Sequence, residues 1–231
     1  MSKKTVGHAA LVLAGLVLAY LGAAALWAYV AFDDVMARAP VADARPLSAR
    51  QAAILLQIED PTFYTHRGLS LAPGQGVATL SSALVRTLYL SGRQLDGAEG
   101  VFQRVYRGAF ECCKAFDVGR DAMALVLDAR LAKRSQLALY VASVYMGTSA
   151  GTQVHGLAQA AHSYLGKPLA ALTEAEFIGL VAMIKAPNQF HPQRHPREFA
   201  LRTARVATVV AGTCRPGGWF DTAYAHCAPA L

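Results

Sequence analysis

Glu59-Asp60-Pro61-Thr62-Phe63-Tyr64-Thr65-His66-Arg67-Gly68 is the stretch on which the reading of this chain turns. Upstream, Ser48 is placed to cap a helix through Ala52, Ile54, Leu55 and Ile58, which Pro61 stops just after the acidic doublet. Two carboxylates at a helix C-terminus face the negative pole of the macrodipole, a costly position unless a cation or a chemical task compensates. Six and seven positions on stands His66, with Gly68 permitting a tight turn beside it. Two readings fit this spacing: an acid/base site, or a surface helix end where Asp-Pro is a stop and His66-Arg67 satisfy the last carbonyls.

Toward the N-terminus, residues 33–46 mix charge, alanine and two prolines and read as a short stalk. Before them, Ala9 to Phe32 is a run of 24 residues without Asp, Glu, Lys or Arg. At about 1.5 Å per residue, a helix of that length reaches roughly 36 Å and can cross a hydrocarbon core of about 30 Å. Lys3 and Lys4 precede the run while Asp33 and Asp34 follow it, so the positive-inside bias makes residues 1–8 a cytoplasmic stub and exports the rest. The rival is a cleaved signal peptide with its site near Ala23-Ala24-Ala25, against which the apolar run continues through Leu26, Trp27 and Tyr29.

Toward the C-terminus, a second apolar segment, Val77 to Leu90, follows a glycine-containing loop, and Ser91 to Gly100 is turn-like. Spacings of three and four predict helix from Met123 to Tyr145 and again over Leu157 to Leu165. Thr173-Glu174-Ala175-Glu176 is a capping box opening a helix to Lys185, and a last helix is expected near Arg197 to Ala211. No alternating strand is read, so the prediction is a mainly α protein: a transmembrane helix over 9–32, a stalk over 33–46, a helical domain over 47–212 and a tail over 213–231.

Charge and cysteine content bound the partners. The exported part carries 20 basic and 15 acidic groups, an excess that suits lipid headgroups or a diphosphate, and no nucleic-acid recognition signature accompanies it. Cys214 and Cys227 flank a Gly, Pro and aromatic-rich tail and are candidates for a disulfide in an oxidising compartment. Cys112 and Cys113 are adjacent, where a mutual bridge would be strained, and read as buried thiols. A zinc site is not expected: no second cysteine pair has ligand spacing, and Pro192 and Pro196 break any helix that would align His191 with His195.

The opening stretch resembles the signature E-D-x-x-F-x-x-H-x-G of glycosyltransferase family 51, the peptidoglycan polymerases, at Glu59, Asp60, Phe63, His66 and Gly68. A longer resemblance runs from Met123 to Asp128 through Lys133, Leu137, Tyr140 and Val144-Tyr-Met-Gly147. It continues over Tyr164-Leu-Gly-Lys167, Leu172 to Glu176 and Met183-Ile-Lys-Ala-Pro-Asn188. Monofunctional transglycosylases and the first domain of class A penicillin-binding proteins share this layout. The family's second motif, G-x-S-T-I-T-Q-Q-x-x-K-N, aligns with Gly76 to Thr87, keeping Gly76, Thr79 and a cation at Arg86 but placing Ser82-Ala83 at the glutamine pair. Its third, R-K-x-x-E, aligns with Phe116, Asp117 and Arg120, and Glu111, Asp117 and Asp121 are alternatives for a displaced second carboxylate.

The resemblance implies a lysozyme-like two-lobed helical fold and an inverting transfer that polymerises lipid II into β-1,4 glycan with release of undecaprenyl pyrophosphate. Glu59 is the expected base, its charged form disfavoured by burial beside Phe63 and by the helix C-terminus. Asp60, Phe63, His66, Thr79, Arg86 and Lys133 are the expected substrate-binding residues; for His66 the structural role is favoured, and for Lys133 the alternative is a solvated helix face. A divalent cation, magnesium or manganese, is an expectation at the diphosphate, and the third-motif departure weakens it. Lipid II, the growing glycan, the bacterial inner membrane and a separate transpeptidase are the implied partners, with the domain periplasmic or extracellular. Val77 to Leu90 is expected to dip into the outer leaflet, or else to be an ordinary core helix. Loss of the glutamine pair and of the third-motif acid keeps open a second class of protein, a scaffold or regulator that binds lipid-linked precursor without polymerising it.

Overall fold

The computed structural model of the chain describes residues 3–41, 47–75, 78–110 and 117–227. An apolar helix α1 (Lys3–Val30) leads into a short α2 (Phe32–Ala37), then α3 (Ala49–Glu59) and α4 (Leu80–Val85). Next come α5 (Gly97–Phe110), α6 (Val118–Arg130), α7 (Lys133–Ser143) and a two-stranded hairpin, β1 (Tyr145–Ser149) and β2 (Thr152–His155). Helices α8 (Leu157–Leu165), α9 (Glu174–Ile184) and α10 (Pro196–Val210) complete the array. The protein is mainly helical, as the periodicity predicts.

The helices pack as two groups. In one, α6 lies against both α1 and α4, with α5 alongside; in the other, α9 is flanked by α3, α8 and α10. Helix α7 touches α4 on one side and α8 on the other, so it joins the lobes. Buried apolar side chains are continuous across this seam, from Leu84, Met123 and Leu127 to Phe177, Leu180 and Val206.

Local chemistry fixes several boundaries. Ser48 accepts from the Gln51 N–H while the Gln51 side chain accepts from the Ser48 N–H, a reciprocal cap that starts α3. Thr173 and Glu176 form the expected capping box at α9. Pro196 occupies the first turn of α10, where its missing N–H costs nothing.

Several expectations need correction. The helix predicted from Met123 to Tyr145 is broken at Leu131-Ala132 into α6 and α7, and the freed Leu131 carbonyl accepts from the buried Gln136 amide at 2.8 Å. No strand was read between the helices predicted to end at Tyr145 and to begin at Leu157, yet the hairpin lies there, because Ala150 and Gly151 both take positive φ (48° and 79°) and so make a tight turn between antiparallel strands. Helix α5 starts within the last four residues of the stretch read as turn and runs on through a segment where no helix was predicted. It is held by Gln103, whose amide donates to the Tyr89 carbonyl and accepts from the Leu95 N–H, and by Arg107, which donates to the carbonyls of Leu90 and Gly92.

The segment expected to dip into lipid is core instead. Leu80, Leu84, Val85, Leu88 and Tyr89 are buried, and a π-helical turn, Arg86–Leu90, extends α4 toward α1. Phe32 and Val35 on α2 are buried too, so the segment read as a stalk begins docked on the domain. The adjacent cysteines Cys112 and Cys113 lie outside the described residues, as do Glu111 and Phe116.

Helix α1 is long and apolar enough to cross a bilayer. Its first half presents Leu11, Val12, Leu13, Leu16 and Leu18 outward, whereas Ala24, Trp27, Ala28 and Ala31 are covered by the domain. Trp27 stacks on Phe102 of α5, and the Tyr89 hydroxyl donates to the Ala28 carbonyl. Tyr20 shares a 3.0 Å hydrogen bond with Tyr106, which donates in turn to Asp117, the N-cap of α6.

Candidate active site

A cleft of about 340 Å³ opens between the two lobes. Glu59, the last residue of α3, lies in its lining with Arg86, Arg120, Lys185 and Arg202, and with Tyr140, Tyr145 and Tyr224. Among the described lining residues Glu59 is the sole carboxylate and shares the lining with four cations.

The stretch after Glu59 is a cage of hydrogen bonds that ties α3 of one lobe to α4 of the other. Asp60 is fully buried; its Oδ2 accepts from the Leu80 N–H at 2.9 Å and from His66 Nε2 at 2.9 Å. His66 Nδ1 accepts from the Gly68 N–H at 2.9 Å, so it carries no proton, and the proton sits on Nε2, directed at Asp60. Thr79 donates to the Gly68 carbonyl at 2.6 Å and accepts from the Ser82 N–H at 3.1 Å, capping α4. Gly68 has φ +92°, and a Cβ there would stand 2.7 Å from the Ala124 carbonyl oxygen, so only glycine closes this turn onto α6.

Electrostatics single out Glu59. Desolvation pushes its carboxyl above the ordinary value; the Tyr140 hydroxyl, donating to Oε2 at 3.1 Å, opposes this most, followed by Arg202 and Lys185, while Asp60 adds a small push upward. The expected direction is therefore present, although Phe63 packs with Tyr64, His66 and Lys133 rather than lining the cleft. Tyr140 is pushed well up by burial and then by Glu59, so it is a neutral donor. Lys185 and Arg202 are held below their ordinary ranges chiefly by burial, against the pull of Glu59. Arg86 is held down by burial and then by Arg120, with Asp117 and Asp121 opposing. The cations thus form two poles, Lys185 and Arg202 coupled to Glu59, Arg86 coupled to Arg120.

Of the residues singled out by sequence, the cleft brings together Glu59 and Arg86. Asp60, His66 and Thr79 brace it from behind. Lys133 is turned to Asp128 at 2.5 Å and to the Phe63 ring at 4.6 Å, away from the lining, a structural placement. Of the alternatives for a second carboxylate, Asp117 caps α6, Asp121 pairs with Arg120 at 2.9 Å, and Glu111 lies outside the described residues. His191 is buried against Tyr164, with Nδ1 accepting from the N–H groups of Gln193 and Arg194.

Sequence reasoning assigned no role to Lys185, Arg202, Tyr140 or Tyr224. Lys185 stands in the quoted Met183 to Asn188 segment, which was its signal; Tyr140 reads as one more apolar position of α7. Arg202 is a basic residue of α10 that proves to be buried, and Tyr224 comes from the tail, so neither has a spacing that marks it.

The cleft's donor set does not fit a divalent cation: hard ions want several carboxylate or carbonyl oxygens, and this lining offers one carboxylate amid guanidinium and ammonium groups. Cys214, Cys227 and His226 lie close together, but the two sulfurs are joined as a disulfide.

The transglycosylase family matches this chain over residues 33–211, and the chain belongs to that family. It is 31% identical to penicillin-binding protein 1B of Escherichia coli over 146 residues, 62% of this chain and 16% of that protein. Against penicillin-binding protein 1A of Pseudomonas aeruginosa it is 30% identical over 151 residues, 64% of this chain and 17% of the relative. A Cupriavidus necator protein named as a candidate transglycosylase is 28% identical over 165 residues, 66% of this chain and 62% of that one. The chain spans less than a fifth of the length of these penicillin-binding relatives. Membership supports peptidoglycan glycosyltransferase chemistry at the level of the family.

Proposed function

We propose that this chain is a membrane-anchored glycosyltransferase that polymerises lipid II, with Glu59 as general base. The observation that carries the reading is a single desolvated carboxylate among four cations in an interlobe cleft. The 4-hydroxyl of the acceptor sugar gives its proton to Glu59 as its oxygen bonds to the anomeric carbon of the growing chain. The bond from that carbon to the diphosphate breaks with inversion, and undecaprenyl pyrophosphate leaves with the electron pair. Arg86 and Arg120 form the pole suited to the departing diphosphate, supplying fixed positive charge without reorganisation. No step is routed through a metal. Gln75, buried in the lining with no partner for Oε1 among the described residues, offers an acceptor to a sugar hydroxyl. Helix α1 supports attachment to the inner membrane with the domain on its outer side, where a separate transpeptidase would cross-link the product.

One observation favours the second reading: Arg120 lines the cleft where the family resemblance has its second acid. A cleft richer in cations holds a lipid diphosphate more firmly and releases it more slowly, which suits a precursor-binding scaffold. Purified full-length chain is incubated in detergent with lipid II, glycan chains are read on a gel, and lipid II binding is measured in parallel. Chains from the wild type and none from Glu59→Gln support polymerisation; tight binding without chains decides for the scaffold.

A further inference from the structure

The tail after α10 is a wall of the same cleft. Cys214 and Cys227 are bonded across a separation of 13 residues, and within the loop so closed Thr222 and Tyr224 reach the lining. Gly218 accepts from the Gly74 N–H at 2.9 Å, and the Tyr224 hydroxyl donates back to the Gly74 carbonyl at 3.3 Å. Gly74 has φ +78°, and a Cβ there would stand 2.4 Å from Pro216, so tail and loop are in close contact. Asp221 accepts from the N–H groups of Gly217 and Tyr224, and Thr208 of α10 donates to the Cys227 carbonyl at 3.1 Å.

Arg202 is fixed by this wall. It is 4% exposed; its Nη1 donates to the Thr222 carbonyl at 2.8 Å, and its guanidinium lies 4.8 Å from the centre of the Tyr224 ring. Its Nε has no hydrogen-bond partner among the described residues. A buried guanidinium whose hydrogen bond and closest ring both belong to the tail keeps its place only while the tail keeps its own.

We propose that Arg202 is a positioning residue that holds the charged form of Glu59 ready in the cleft, and that the Cys214–Cys227 bridge, by fixing the tail, makes this dependent on an oxidising environment. The inference rests on the reading of Glu59 as base. Five groups act on that carboxylate: Tyr140 from α7, Lys185 from α9, Arg202 from α10, Tyr224 from the tail and the adjacent Asp60. Removing the bridge unfastens the Cys227 end of the tail segment that anchors Arg202 from its Cys214 end, which stays joined to α10, and as the segment loosens the carboxylate loses a counter-charge that burial had made strong.

The test is made on the full chain in detergent micelles, with glutamate side chains carbon-13 labelled and the Glu59 carboxyl assigned by Glu59→Gln. Its titration is followed by NMR in the oxidised wild type, in Arg202→Gln and Arg202→Lys, and in a Cys214→Ser/Cys227→Ser double variant. The midpoint is expected to move up in Arg202→Gln, to return in Arg202→Lys, and to move up without the bridge. Should the double variant fail to fold, phosphine reduction of the folded wild type replaces it, with circular dichroism confirming the helices. A midpoint unmoved in Arg202→Gln, or unmoved when the bridge is opened, overturns the proposal. Polymerisation of lipid II, where present, should shift its acid limb in parallel and fall between about tenfold and a hundredfold on reduction. A chain that titrates as expected but makes no glycan leaves this inference standing and removes the polymerase reading, so the two failures are distinct.

Discussion

The two walls of the cleft are built by opposite means. Behind Glu59, Asp60, His66, Gly68 and Thr79 exchange hydrogen bonds over some 20 positions of sequence, with Asp60 Oδ2 serving two donors and Asp60 Oδ1 left without a partner among the described residues. Across from it, Tyr224 meets Gly74 over a sequence separation of 150, and a covalent bond closes the segment that carries it. A wall made of local contacts resists opening because each buried group would be left unmet; a wall made of distant contacts needs a staple because closing a long loop costs entropy.

The largest expected effect breaks the chemistry that both walls serve. Glu59→Gln should lower glycan synthesis by about a thousandfold, in keeping with the usual contribution of a general base, measured as initial rate on lipid II. Next comes the near wall: Asp60→Ala leaves the Leu80 N–H and the His66 ring without their buried acceptor and should cost about 3 kcal/mol, read by chemical denaturation. The far wall follows, where opening the Cys214–Cys227 bridge should cost about 2–3 kcal/mol on the loop-entropy account. If the tail variant proves the more damaging, the contrast between the walls is reversed.

Two smaller effects sharpen the comparison. Because Glu59 titrates above its ordinary 4.5 in the folded protein, the native state binds more protons than the unfolded one between those values. Stability therefore falls as pH climbs from 4.5 through the raised value and is flat above it. Glu59→Gln removes this loss: it should raise the melting temperature at neutral pH by about 2–4 °C, with the gap closing below the ordinary value. The acid limb of wild-type activity should likewise lie above the ordinary glutamate range. Smallest is Thr173→Ala at the α9 capping box, far from both walls, at about 1 kcal/mol.

The contrast also explains what was legible. Ser48, Thr173 and Pro196 announce their helices because capping is decided within four residues. The near wall was readable for the same reason, as its residues fall within one short motif and the next. Helix α5 was missed because its anchor, Gln103, is polar and buried, the reverse of the apolar periodicity that marks a helix. The hairpin was missed because Ala150, an L-residue with a side chain, takes the positive φ that usually signals glycine or asparagine. Arg202 and Tyr224 were invisible because nothing in either residue's neighbourhood says that a basic helix position and a tail tyrosine will stack. Arg120 was visible as a departure, but that it faces the cleft required the turn of α6 fixed by Asp117.

Helix α1 is locked to the domain as well as being apolar enough to cross a bilayer. Since Tyr20, Trp27 and Ala28 each meet a different residue of it, the heading of the domain relative to α1 is set by helical phase. One residue inserted between Tyr20 and Trp27 would turn one grip against the other by about 100° and lift it about 1.5 Å. If α1 spans the bilayer as proposed, the height and heading of the cleft above the lipid are written in the count of residues along a greasy rod, like the key of a shaft in its slot.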